Sequence, residues 1–187
     1  MLSIVACQKE EIDPTLGYYD DFNKAAIATS PAKATLTVTQ EQTEATLNAS
    51  FVITFGEDGS ATIAYSYDAF NEIGVGSSDE VIVTKTGTVT CDKNGNYSDG
   101  TFAFSGTTTI VTGAALNFDA EKMSANFSAD GNVVNALVEA ANTEAVFGVA
   151  IPADITLTAI KNAGRILSFT LEYTTAEGKV SVNCTYE

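Results

Sequence analysis

The stretch Thr46–Tyr67, TLNASFVITFGEDGSATIAYSY, decides the fold. Leu47, Ala49, Phe51, Ile53 and Phe55 alternate with Thr46, Asn48, Ser50 and Thr54, and only Val52 breaks the polar side. After Glu57-Asp58-Gly59 the alternation resumes at Ala61, Ile63, Tyr65 and Tyr67. Successive side chains of an extended chain point to opposite faces. A period of two with one apolar side therefore marks antiparallel strands that bury one face. An Asp-Gly pair between two such runs marks a tight hairpin, because glycine takes positive φ without steric cost.

The same pattern spreads outward. Leu36 and Val38 alternate with Thr35, Thr37 and Thr39. Val81, Val83, Val89 and Cys91 form one or two strands; Asn94-Gly95 turns the chain, and Phe102 and Phe104 lead on to Ile110 and Val111. A weaker pair runs from about Ala115 to Phe127 and reaches Asp130-Gly131. Ile155 and Leu157 lie on a short strand, and Leu167, Phe169, Leu171 and Tyr173 alternate along a longer one. Glu177-Gly178 then turns into Val180, Val182, Cys184 and Tyr186.

Two segments change period. Asp13-Pro14 suits a helix start, with Leu16, Tyr19, Phe22, Asn23 and Ala26 following at spacings of three and four up to Ser30-Pro31. Val134, Leu137, Val138, Ala141 and Ala145 trace a second helical stripe. The expected fold is mainly β: an antiparallel sheet forming a curved sandwich or barrel, with two short helices at about 14–29 and 132–147. Residues 13–187 form one β-rich domain. Its ends read alike, as helix, proline, short strand, long strand, acidic-glycine turn and strand. This suggests a duplication of 14–68 in 132–187 with central strands inserted. Two unrelated amphipathic hairpins would look alike too.

Composition narrows the function. The chain has 187 residues, enough for a sizeable core without staples. Twenty-four Asp and Glu against nine Lys and Arg leave a net charge of -15, which repels phosphate backbones and argues against nucleic acid as a partner. There is no histidine, so no Ser-His-Asp or Cys-His arrangement exists. The absence of tryptophan removes the largest stacking face for sugars.

The opening MLSIVACQKEEIDP poses a separate question of address. Ile4-Val5-Ala6-Cys7 resembles the lipobox of bacterial lipoproteins, with small Ala6 before the cysteine and aliphatic Ile4 three residues before it. Upstream the chain departs from the pattern: no basic segment and only a short apolar stretch precede Cys7. The resemblance implies cleavage before Cys7, removal of residues 1–6, lipidation of Cys7 and a tether over 7–12. Gln8-Lys9-Glu10-Glu11 resembles the lysine-plus-acidic signal that sends some lipoproteins to the outer face of the outer membrane. Several acyl carbons at about 0.8 kcal/mol per buried CH₂ would make such an anchor firm.

Few residues suggest chemistry. Asp92, Asn94, Asn96 and Asp99 offer oxygen donors near the spacing of a calcium loop. Tyr97 stands where that loop needs glycine and Ala103 where it needs a bidentate glutamate, so an Asn-Gly hairpin explains the same residues. Cys91 and Cys184 fall on the inward parity of their strands; they form either a disulfide or two separate buried thiols. Gly74, Gly76, Ser77 and Ser78 make a loop where binding could sit. Asp20-Asp21 and Asp79-Glu80 read as solvated charge. Three functions follow as expectations. The first is an outer-membrane or cell-surface lipoprotein, attached through its lipid anchor, that acts as a non-enzymatic binding or structural module for a protein, glycan or apolar ligand. The second is a carrier of lipid or a small apolar ligand, with its cavity between helices and curved sheet. The third is a carboxylate-based hydrolase, which needs two inward carboxylates.

Overall fold

The structure, a computed structural model, describes residues 15–72, 80–98 and 116–187. The described residues hold nine strands: β1 (Lys33–Glu41), β2 (Thr46–Phe55), β3 (Ala61–Glu72), β4 (Glu80–Cys91), β5 (Ser124–Phe127), β6 (Val133–Val138), β7 (Ile155–Asn162), β8 (Arg165–Thr175) and β9 (Gly178–Tyr186). All belong to one antiparallel sheet in the order β4-β3-β2-β1-β9-β8-β7-β6-β5. Among the described residues the sheet is curved and does not close, and β4 and β5 are its outermost strands. The first and last strands of the chain meet at its centre, where Leu36 opposes Cys184 and Val38 opposes Val182. Among the described residues the expected antiparallel β-architecture takes the form of one curved sheet with two short helices.

Register carries the alternation across every strand. One inward row runs Gly87, Tyr65, Phe51, Leu36, Cys184, Phe169, Ala159, Val134, Phe127. Phe51, Leu36 and Val134 on it are fully buried. The β2–β3 turn follows its sequence. Gly59 has φ 83°, and the Asp58 carboxylate accepts from the backbone N–H and hydroxyl of Ser60 at 3.0 and 2.6 Å.

Helix α1 (Leu16–Ala28) matches the expected 14–29, while the Asp13 cap and Pro14 lie outside the described residues. It lies on the concave side against β8, with Phe22 and Ala25 buried. Phe22 packs on Phe118 and Phe127 with ring centroids 5.0 and 5.9 Å away. The C-terminal end of the helix is tied down by Thr29. Its hydroxyl donates to Ala25 O at 2.7 Å and accepts from the Ile166 N–H at 2.9 Å.

The second expected helix, 132–147, needs correction. Residues Val133–Val138 form β6, a single 3₁₀ turn follows at Ala140–Asn142, and only α2 (Thr143–Phe147) is helical. The stripe Val134-Leu137-Val138 fits a helical period, but Val134-Ala136-Val138 fits a strand equally well. The β-branched pair Val133-Val134 favours the strand, and β7 supplies a partner at every β6 residue. Buried Thr143 fixes α2, accepting from the Ile151 N–H at 2.9 Å. Gly148 at φ 70° ends it.

The expected duplication meets a geometric obstacle. β1-β2-β3 and β7-β8-β9 are both meanders, and both bury the same face of one sheet. Because β1 and β9 are adjacent and antiparallel, the two meanders progress across the sheet with opposite hand. A rotation that superposed them would turn one buried face outward. The likeness of the two hairpins is the likeness of amphipathic alternation.

Candidate functional site

The concave face is aromatic and nearly free of charge. All seven tyrosines of the chain lie on that side. Tyr65, Tyr67, Tyr173 and Tyr186 hold inward strand positions, Tyr97 bridges inward-facing Cys91, and Tyr18 and Tyr19 pack on Phe127. Tyr65 lies flat across β4 on Gly87, where any Cβ would run into its ring, and its centroid is 5.9 Å from that of Tyr67. A glycine beneath an aromatic ring restores the burial that its missing side chain forfeits.

Coverage of this face is uneven. Ile53, Ile63, Leu157 and Leu171 are fully buried, and α1 and α2 cover the β5–β8 side. Toward the far ends of β3 and β4, Tyr65, Tyr67, Ala69 and Val83 are only half-buried, and Val81 is 41 % exposed. Val38 on β1 and Leu47 on β2 are half-buried beside them. β3 continues past its last pair with β2, Ala49 with Tyr67, and runs on with β4 alone. The concave face thus ends in an apolar strip open to solvent.

The convex face has the opposite chemistry. One row across all nine strands reads Thr86, Ser66, Ser50, Thr37, Asn183, Thr170, Thr158, Asn135, Asn126. Thr158 and Thr170 donate to Asn135 and Asn183 at 2.8 and 2.9 Å. A groove of about 330 Å³ on this face is lined by Thr37, Thr39, Asn48, Ser50 and Asp68. The Asn48 N–H (3.0 Å) and the Thr84 hydroxyl (3.0 Å) hold the Asp68 carboxyl below the usual aspartate range. A second groove, about 490 Å³, is lined by Asp154, Thr156, Glu172, Thr174 and Lys179, with a Lys179–Glu172 ion pair at 2.9 Å. Both grooves are open; the second exposes mainly polar surface, whereas the first, which Val38 and Ala49 also line, exposes more apolar than polar surface.

The sequence-expected site residues fare differently. Cys7, the loop residues Gly74, Gly76, Ser77 and Ser78, and Asp99 lie outside the described residues. So do Asp79 and the expected strand through Phe102, Phe104, Ile110 and Val111. Asp92 is the hub of its own turn. It accepts from the Asn94 and Asn96 N–H groups at 2.8 and 2.9 Å and from the Asn96 side chain at 2.9 Å, which lowers its pKa. Among the described residues no group of three or more His, Cys, Asp or Glu side chains is placed to hold a metal. Asp92, Asn94 and Asn96 thus form the hairpin that the Asn-Gly reading describes.

The disulfide expectation is corrected. Cys91 and Cys184 are both free and buried. They sit on β4 and β9 with β3, β2 and β1 between them. Four strand spacings of about 4.8 Å exceed the ~7 Å reach of a disulfide by a wide margin. Burial pushes the Cys184 thiol up to about 12 and raises Cys91 as well, which disfavours the thiolate that nucleophilic attack needs. The hydrolase reading needs paired inward carboxylates, and no described inward strand position carries Asp or Glu. Asp20 and Asp21 are exposed on α1.

Fold and face together define a class: an open antiparallel sheet whose concave side is an apolar, tyrosine-rich surface under short helices. No protein-family model matches the chain, and no curated protein matches it. Among solved structures it is similar to LprF from Mycobacterium bovis, at 13 % identity and a TM-score of 0.44 over 93 % of this chain and 94 % of that one. It is also similar to a DUF1329 family protein from Desulfovibrio piger, at 11 % identity and a TM-score of 0.36 over 94 % of both chains. A LolA superfamily protein from Nitrosomonas europaea matches at 8 % identity and a TM-score of 0.31, over 92 % of this chain and 93 % of that one. These likenesses are slight. Among the described residues no helix is long and apolar enough to cross a membrane.

Proposed function

We propose that the protein is a cell-envelope lipoprotein, anchored through Cys7, that binds an apolar ligand against the concave face of its sheet. The observation that carries this reading is the open strip of Tyr65, Tyr67, Ala69, Val81, Val83, Val38 and Leu47 at the end of an otherwise buried apolar face. Exposed apolar surface is rarely this contiguous without a use, and burial by a ligand returns about 25 cal/mol per Å². The lipobox-like Ile4-Val5-Ala6-Cys7 supports the envelope address, with the acidic segment after it favouring the outer membrane. A second reading, a structural module without ligand, is favoured by the fully buried side chains of Phe51, Ile53 and Ile63.

The neutral apolar dye N-phenyl-1-naphthylamine separates the two. A carrier enhances its fluorescence saturably, and Tyr67→Asp with Val83→Asp abolishes the enhancement without unfolding the protein. No saturable enhancement with the folded wild type leaves the structural module standing alone.

A further inference from the structure

The concave face carries two charged side chains at its described strand positions, and both are lysines. In a chain where 24 acids face nine bases, no carboxylate stands there. Lys161, on β7, is already engaged: its ammonium lies 5.3 Å from the centre of the Phe22 ring beneath α1. Lys85, on β4, sits at the other end of the face. It is directly opposite Tyr67, is exposed, and forms no ion pair among the described residues.

The register gives Lys85 its significance. It heads an inward row that continues Tyr67, Ala49, Val38, Val182, Leu171, apolar once past the tyrosine. Tyr65 lies over Gly87, two residues along β4 on the same face, and so flanks Lys85 as well. Lysine is an unfavourable choice at the head of an apolar row unless its ammonium finds water or an anion. On a surface this acidic, a lone cation beside two tyrosines and above an apolar strip complements one ligand shape: a hydrocarbon chain ending in a negative charge.

We propose that the ligand of the concave face is an anionic amphiphile. Its head sits at Lys85 beside Tyr67 and its chain lies along Ala49 and Val38 toward the buried rows. This rests on the apolar-ligand reading above and adds the chemistry of the head. A carboxylate and a phosphate monoester share that chemistry.

The test uses four amphiphiles with one chain and different heads: hexadecanoate, hexadecyl phosphate, hexadecanol and hexadecyltrimethylammonium. Each displaces N-phenyl-1-naphthylamine from the folded protein below its micelle concentration. At least one anion is expected to displace the dye at roughly tenfold lower concentration than hexadecanol, a difference of about 1.4 kcal/mol. The ammonium head is expected to be weakest, and the better of the two anions identifies the head. Lys85→Gln should bring the anions level with hexadecanol, and Lys85→Glu should place them below it; both should leave the melting temperature unchanged, since the side chain is exposed. Equal displacement by all heads, or an anion preference that survives Lys85→Glu, overturns the proposal while leaving the apolar reading intact. A folded protein that never binds the dye overturns both.

Discussion

One polar side chain clamps helix α1 to the segment at Phe118, and that grip is open to measurement. The Asn23 carboxamide donates from Nδ2 to the Phe118 carbonyl at 2.7 Å and accepts at Oδ1 from the Phe118 N–H at 2.8 Å. The two bonds imitate a strand pairing between a helix and an extended segment, and Phe118 itself is 2 % exposed. Asn23→Leu keeps the branching at Cγ, adds a little volume, and leaves both backbone groups without a partner. Each such orphan costs about 1–3 kcal/mol, so the pair should cost roughly 2–6 kcal/mol. For a chain of this length 1 kcal/mol moves the melting temperature by roughly 2–4 °C, so calorimetry should register a fall of roughly 4–24 °C. Asn23→Asp adds a signature of geometry. Its ionised carboxylate still accepts from the N–H but faces the Phe118 carbonyl with a second oxygen; protonated, that oxygen donates instead. The deficit of Asn23→Asp relative to wild type should therefore shrink between pH 7 and about pH 4, while that of Asn23→Leu stays constant. An Asn23→Leu protein that melts within 1–2 °C of wild type, or an Asn23→Asp deficit indifferent to pH, would refute the clamp.

Four further outcomes follow from the structure. Cys184 and Tyr186 have pKa values raised by burial, so their neutral forms are favoured only in the folded state; denaturant titration should show full stability below about pH 9 and a loss of roughly 1.4 kcal/mol per pH unit for each group above its unfolded value. Asp58, Asp68, Asp92 and Asp130 are lowered by hydrogen bonds, so their contribution is present above about pH 4 and lost as pH falls through the depressed values. Gly178 has φ 144°, and a Cβ there would enter the Glu41 backbone at the central β1–β9 seam; Gly178→Ala should cost about 2–3 kcal/mol in chemical denaturation, against about 1–2 kcal/mol for Gly95→Ala, whose Cβ meets nothing within 4 Å. In a Cys7→Ser protein a reductant should leave the melting temperature unchanged, and Cys91 and Cys184 should react with a thiol reagent only once the protein is unfolded. A reductant-sensitive melt would restore the disulfide.

Much of the fold was legible because alternation over Thr46–Tyr67 and Leu167–Tyr186 is a direct imprint of one-sided burial. Helix α1 was legible from its spacing, though Leu16 is 47 % exposed and Ala25, not Ala26, completes the buried face. The segment 132–147 misled because apolar residues at 134, 137 and 138 satisfy both periods, and only an available partner strand decides between them. Neighbours in the sheet were hidden altogether. Nothing local to Leu36 says that it faces Cys184, and for the same reason the separation of Cys91 from Cys184 was invisible. The Lys85 site was missed on that account: its lysine is ordinary in sequence and becomes distinctive only when the register sets it at the head of an apolar row.

The claim beneath all of this is that the inward face, and not the polar convex face, receives the ligand. Nuclear magnetic resonance during titration with N-phenyl-1-naphthylamine tests it residue by residue. Saturable shifts are expected at the methyl groups of Val38, Ala49 and Val83, with the signals of the outward neighbours Thr37, Ser50 and Thr84 unmoved. Shifts concentrated on those outward residues, or none anywhere, would contradict it.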